Sequence, residues 1–483
     1  MLKESKYIAL FLLLALACSM VGCAGYQRGM QRYDGLMDRG DYKQAYQALE
    51  HFKFLQKNRN QFLYYAEKGR VAQLLRKPDT SNYFLNQADA ILEATWKSTG
   101  DAVIGNLINP MQERYMAEDM ERMMLHYCKA MNYLVTGDQA GALVEARRIS
   151  LQANRLIDTK TKGTRDALSF GYWIQGVIYE AGNDLNNAFI AYRNAADLWL
   201  GNKNKDDQMV QVPGEIMIDV VRTAFQLGYT DQLHRYANYV KNLPESSKSG
   251  GGTLLIFHEI GNAPALQNNF FSFNSWAPGG DNIYFNDSYN RYQIPVQSTA
   301  FSGFSNSVTP SLLKGLRVAV AVPEPGGVPA YNGNIRMGET SFSFNKMQDM
   351  YQWAARPDAM SRELQKAVIR ALVKKGTELA AQAGAKAIAK SGDKKDSDSN
   401  KKEDADKKEA QAVAIAQGVG LLINVLNQST EVADTRSWRS LPGAVYAARI
   451  PLQPGTNSFT IQEGNSTKTI TIEGKGGLQV MRW

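Results

Sequence analysis

Cysteine is nearly absent from this 483-residue chain, which has only Cys18, Cys23 and Cys128. The first two lie in or just after an N-terminal apolar run, so Cys128 stands alone in the body of the chain. Neither a disulfide framework nor a thiolate metal site can be built from that. Histidine is equally scarce: His51, His126, His234 and His258. His258-Glu259 opens like a zinc-protease motif, but Asn262 stands where the second histidine belongs, and a strand pattern cannot bring two ligands onto one helix face. His258 is therefore expected to be a strand residue with a hydrogen-bond partner and no catalytic role. A Gly-rich phosphate loop ending in Lys-Ser or Lys-Thr is missing, as is a Gly-x-Ser-x-Gly elbow. No catalytic residue, metal or cofactor is assigned, and the chain is not expected to be an enzyme. Long hydrophobic runs are missing too. The longest, Tyr7 to Cys18, falls short of the about 20 residues a membrane-spanning helix needs.

What is present begins with that short run. Lys3 and Lys6 precede it and the small-residue stretch SMVGCAG closes it, the three-part pattern of an export signal. Residues 1–22 are read as a signal peptide. Met20-Val21-Gly22-Cys23 resembles the lipobox of bacterial lipoproteins, with Met20 in place of the commoner Leu. That motif implies a diacylglyceryl group on the Cys23 sulfur and cleavage just before it. An ordinary signal peptide with an incidental cysteine is the alternative. Each buried acyl methylene contributes about 0.8 kcal/mol, so several chains on one cysteine anchor firmly. Ala24 is not the Asp that retains enteric lipoproteins at the inner membrane, which points to the outer membrane, facing the periplasm.

Hydrophobic residues at 44% and charged residues at 21% describe a chain able to form a core. The net charge is +8; processing removes two lysines and one glutamate, leaving +7. Solubility is the plain reading of that excess, with contact to anionic lipid, lipopolysaccharide or glycan as the alternative. Nucleic acid is not an expected partner outside the cytoplasm.

Residues 26–245 carry helical periodicity with little Gly or Pro, and they repeat. In Ile174–Trp199, Gly176, Tyr179, a Gly182-Asn183-Asp184 turn, Ala188, Tyr192 and Ala195 follow the tetratricopeptide (TPR) pattern. Ala130–Ile149 is a second copy, with Gly137-Asp138 and Ala142; Tyr33–Leu49 and 69–92 are weaker ones. Small residues at Gly176 and Ala188 would let antiparallel helices approach closely. The stretch ESSKSGGG (245–252) reads as a flexible linker. Strand signals follow at 253–260 and 316–323, around the aromatic, Asn-rich stretch 268–292. That stretch could stack on sugar rings or simply cover a sheet edge. A helix is expected over 358–390, a disordered charged run over 391–409, a short apolar helix over 410–426, and strands to the end. Cys128 sits in a helical pattern and is expected to be a buried apolar filler.

The segments NYLVTGDQAGALVEARR (132–148), IYEAGNDLNNAFIAYRNA (178–195), TLLIFHEIGNAP (253–264) and EVADTRSWRSLPGAVYAARIPLQPG (431–455) carry a resemblance over nearly the whole mature chain. It resembles bacterial TPR-type envelope lipoproteins, and the ADTRSW-then-LP sequence is its most specific part. The resemblance implies location and architecture rather than a reaction; such proteins are sometimes found alongside lipoproteins that activate cell-wall synthases. The expected fold is α+β: a TPR-like α-solenoid over 23–245, the first part of an α+β domain over 246–356, a helical hairpin over 357–430, and a β-meander in 431–483. The expected function is a lipid-anchored scaffold that binds other envelope proteins. A wall- or glycan-processing enzyme, or a subunit of a polymer-secretion apparatus, is the alternative. Glu145, Arg147 and Arg148 are the candidate partner-binding residues, expected to face a concave groove, because the Arg fork suits carboxylates. The competing reading has one Arg paired to a neighbouring helix and the other solvated. Asp434, Thr435, Arg436 and Trp438 are read as a helix-end lock, in which Arg436 pairs an acid and Trp438 is buried at the junction with the β tail; a binding site is the alternative.

Overall fold

The computed structural model describes residues 25–97, 110–158, 165–200, 213–240, 250–276, 281–299, 313–314, 316–391 and 432–483. Cys23, the charged run from residue 392 onward and the apolar stretch 410–426 lie outside them. The fold is α+β.

The N-terminal half is a succession of antiparallel helices: α1 (25–38), α2 (Tyr42–His51), α3 (Gln61–Leu74), α4 (Pro78–Lys97), α5 (Asp119–Thr136), α6 (Gln139–Asp158), α7 (Arg165–Ala181), α8 (Leu185–Leu200), α9 (Gly214–Leu227) and α10 (Thr230–Ala237). Small residues set their spacing. A Cβ added at Gly176 on α7 would lie 2.4 Å from the Tyr192 ring on α8, and Ala188 and Ala195 beside it are fully buried. Gly137 and Gly228 end α5 and α9 in the left-handed conformation that glycine adopts without strain.

Among the described residues, twelve strands follow in three four-stranded sheets. The central sheet has the order β12-β1-β9-β8, from β1 (Thr253–Asn262), β8 (Asn345–Asp349), β9 (Pro442–Pro451) and β12 (Leu478–Arg482). Its faces follow the two-residue strand period. Leu255 and Phe257 of β1, with Val445 and Ala447 of β9, join the core of the helical half. Leu254, Ile256, Ala444, Tyr446 and Ile450 point the other way, against an outer sheet ordered β11-β10-β6-β7: β6 (Asn334–Met337), β7 (Thr340–Ser343), β10 (Gly455–Glu463) and β11 (Ser466–Gly474). Strand β9 is covered on both faces, which is why its sequence is almost continuously apolar.

The third sheet, β4-β3-β2-β5, is built from β2 (Leu266–Trp276), β3 (Asn282–Asp287), β4 (Gln293–Gln297) and β5 (Arg317–Pro323). After the short α11 (Met350–Ala354), α12 (Pro357–Ser391) packs on this sheet. Met360, Leu364, Ala367, Val368 and Leu372 are buried there at helical spacing.

Two expectations change. The C-terminal strands are not one meander: β10 and β11 form a hairpin in the outer sheet, whereas β9 and β12 flank β1 in the central sheet, β12 parallel to it. The end of the 245–252 stretch is packed rather than a free linker. Gly252, at φ +84°, accepts from the Leu452 N–H, and a Cβ on it would strike the Gly477 carbonyl oxygen at 2.2 Å.

Candidate functional site

The odd-numbered helices share a distinctive position: each meets the chain's own C-terminal half. On α1, Gln27 donates to Thr435 and Asp34 pairs with Arg439 at 2.6 Å. On α3, Arg70 pairs with Glu259 of β1 at 2.8 Å, and on α5 the Tyr127 hydroxyl donates to the same carboxylate. Trp173 of α7 packs on Phe257, and Glu180 of α7 and Asp219 of α9 both pair with Arg449 of β9. The inner face of the helix row is therefore occupied by the central sheet and by the segment 433–441 that leads into it.

That segment is a strap built from backbone hydrogen bonds to buried glutamates. The N–H groups of Trp438, Arg439 and Ser440 donate in succession to Glu121 of α5 and to both oxygens of Glu67 of α3, at 2.7, 2.7 and 3.2 Å. Arg436, its side chain wholly buried, binds the Asp434 carboxylate, the Asn60 side chain and the backbone carbonyls of Pro110 and Glu113. Trp438 is buried edge-on to Phe62. Arg436 does pair an acid and Trp438 is buried, as the sequence suggests, but the strap lies among helices and not at the end of one.

Two buried ionic joints flank the strap. In the first, Glu259 receives Arg70, Arg482 and Tyr127. Burial by itself would raise its carboxyl, but Arg482 and Arg70 outweigh burial and hold it at about 2. In the second, Arg449 and Arg222 bracket Glu180 and Asp219, with Tyr192 donating to Glu180 and Trp173 to Asp219. Burial would raise Glu180 as well; Arg222 and Arg449 draw it down to about 2. These carboxylates are saturated with donors, so they rivet the sheet to the helices.

Other buried carboxyls are pushed the opposite way. Burial raises Glu121 to about 7 despite the Tyr115 and Trp438 donors, raises Asp34 to about 7 despite Arg439, and raises Glu215 to about 7 with Asp219 adding to the effect. A raised carboxyl contributes stability that is fully present below its unfolded value and is lost as pH rises through its folded value. Glu180 and Glu259 contribute stability that is lost only as pH falls toward about 2. His258, lowered mainly by burial, acts against the first group. The melting temperature is expected to decline between about pH 4 and pH 7, with Glu121→Gln flattening the decline. A melting temperature that climbs steadily over that range would contradict this.

The structure separates the candidate partner-binding residues. Glu145 is buried, 2.9 Å from both His126 and Lys129, and Lys129 also pairs with Asp89. It is a link between α4, α5 and α6 and is not available to a partner. Arg148 pairs with Glu93 of α4, while Arg147 is exposed. All three residues lie on α6, in the outer row, and not on the inner face next to the sheet. Cys128 is buried, and burial pushes its thiol up to about 12.

His258 is a strand residue of β1 whose Nε2 lies 3.2 Å from Glu463. Tyr331 and Trp483 also donate to Glu463, and the imidazole packs at a tilt against the Tyr331 ring. The aromatic stretch 268–292 divides between two faces. Phe271, Ile283 and Phe285 are core, Phe270 lies under Arg317 at 4.0 Å, and Tyr289 is exposed.

Sequence reasoning passed over Glu67, Glu121, Glu180, Asp219 and Arg449. One signal was available: Arg449 is the only charge in AVYAARIPL, an otherwise apolar strand. Among the described residues no group of three or more His, Cys, Asp and Glu is placed to hold a metal ion, and no helix is long and apolar enough to cross a membrane.

With its inner face filled, the helical half presents its other surfaces. Nine of the ten exposed large apolar side chains among the described residues lie between Tyr83 and Tyr239, including Val144 and Leu151 on α6, Ile190 on α8 and Phe225 on α9. Neither a protein-family model nor a curated protein matches this chain.

Proposed function

We propose that this chain is a lipid-anchored envelope scaffold, tethered through Cys23 and facing the periplasm from the outer membrane, that binds other envelope proteins through its outer helix row. The antiparallel pairs α5–α6 and α7–α8 are TPR-like repeats on this reading, supported by the close packing at Gly176, Ala188 and Tyr192. Solenoids of that kind usually bind on their concave side. Here the chain's own sheet fills the inner face, so recognition moves outward. The observation that carries the proposal is the concentration of exposed apolar side chains on the helical half. On α6, Val144, Arg147 and Leu151 are exposed at spacings of three and four, so they form one stripe.

Photo-crosslinkers at Val144, Leu151 and Ile190 in living cells are expected to capture the same partner, and one at Thr469 of β11 is not. Arg147→Glu with Leu151→Asp should abolish capture while changing stability by no more than about 0.5 kcal/mol, since both side chains are exposed. Capture that persists in the folded double variant would remove this stripe from the binding surface.

A further inference from the structure

Helix α1 is described from residue 25, two residues after Cys23. Two residues span about 7 Å when extended. Tyr26 is already fully buried, against Phe52 and Phe54 with ring centroids at 6.4 and 5.2 Å. Gly29, one turn on, is packed so tightly that a Cβ there would meet the Phe52 ring at 2.3 Å. A lipid on Cys23 would therefore have almost no slack between it and the folded body, and this end of the molecule would rest on the bilayer.

The chemistry of that end suits such a position. Phe52 and Phe54 are half-buried and alternate with the exposed Lys53, and Lys57 lies over the Phe54 ring at 5.6 Å. Arg28 and Arg32 are exposed on α1. None of these four cations is in an ion pair among the described residues. The nearby acids are engaged elsewhere, Asp34 with Arg439 and Glu50 with Lys68. Uncompensated cations beside half-exposed aromatics are what an anionic headgroup layer attracts.

We infer that the face formed by Arg28, Arg32, Phe52, Lys53, Phe54 and Lys57 seats on an anionic phospholipid surface and fixes the orientation of the helix row relative to the membrane. This rests on the reading of Cys23 as the lipid site.

The test uses the full-length protein as the cell processes it, placed in nanodiscs carrying a headgroup-attached quencher. A fluorophore is attached at Asn58→Cys, exposed beside the face; the buried Cys128 does not compete for label. Quenching is expected to be strong in phosphatidylglycerol discs, weak in phosphatidylcholine discs and reduced by salt. Arg28→Glu, Lys53→Glu and Lys57→Glu together should bring it to the phosphatidylcholine level. Each lost cation is worth about fivefold in partitioning, so losing three weakens it by roughly a hundredfold before repulsion by the new carboxylates is counted. Circular dichroism checks the fold, and the Gln versions replace the Glu versions if folding suffers. As a control, Arg147→Glu, Arg336→Glu and Lys475→Glu should leave quenching unchanged. Quenching that survives the first triple variant, or falls equally in the control, overturns the proposal. A wild-type chain that takes up no labelled fatty acid sinks the anchor reading instead. The same variants are then compared by flotation with phosphatidylglycerol vesicles, where equal binding would sink the face as well.

Discussion

Arg449→Met is expected to lower unfolding stability by about 3–5 kcal/mol. Arg449 projects from β9 into the helical half, where its guanidinium pairs with Glu180 at 3.2 Å and Asp219 at 2.9 Å. Methionine fills much of the volume but leaves two buried carboxylates with Arg222 as their one remaining cation. The loss comes from that uncompensated charge and not from any net gain of the original pair, since buried ion pairs often do no better than apolar replacements. Adding Glu180→Gln to Arg449→Met should therefore restore part of the stability. Urea unfolding of the three proteins measures this. A loss below about 1 kcal/mol in the single variant, or no recovery in the double, would show that the joint is not what couples sheet to helices.

Trp438→Ala is expected to cost about as much, roughly 3–5 kcal/mol. The indole is buried edge-on to Phe62, and its Nε1 donates to Ser440. Its loss opens a cavity beneath a strap whose three consecutive N–H groups are held by Glu121 and Glu67. The strap joins the stretch after α12 to β9, so its loosening should appear as faster hydrogen exchange at Trp438, Arg439 and Ser440 before the sheet itself opens. Exchange at those amides that is already fast in the wild type would show that the glutamates do not hold them.

Much of the architecture could be read from periodicity. The helical half, the strands at 253–260, 316–323 and near the C-terminus, and the long helix after residue 357 all carry repeating apolar patterns, because a face buried in a core must recur every 3.6 or two residues. The Arg436–Trp438 lock was legible from its odd composition. Strand partnership was not legible: β9, β10, β11 and β12 look alike as alternating segments, yet two of them leave for the central sheet and pair with β1, roughly two hundred residues earlier in the chain. Nothing local specifies a partner at that separation.

Glu145, Arg147 and Arg148 show the same limit at the level of single residues. Their charge and helical spacing were plain, but three neighbouring positions on a helix turn point in different directions. Glu145 meets His126 and Lys129, Arg148 meets Glu93, and Arg147 meets solvent. By itself the sequence determined the α+β class and the existence of the paired helices, since each depends on residues close together in the chain. Only the tertiary structure decided that the inner face of the helix row is filled by the protein's own sheet. That outcome depends on Arg449, Glu259 and Trp438 reaching buried partners hundreds of residues away, and burial of a charge is favourable only where the opposite charge has already been brought.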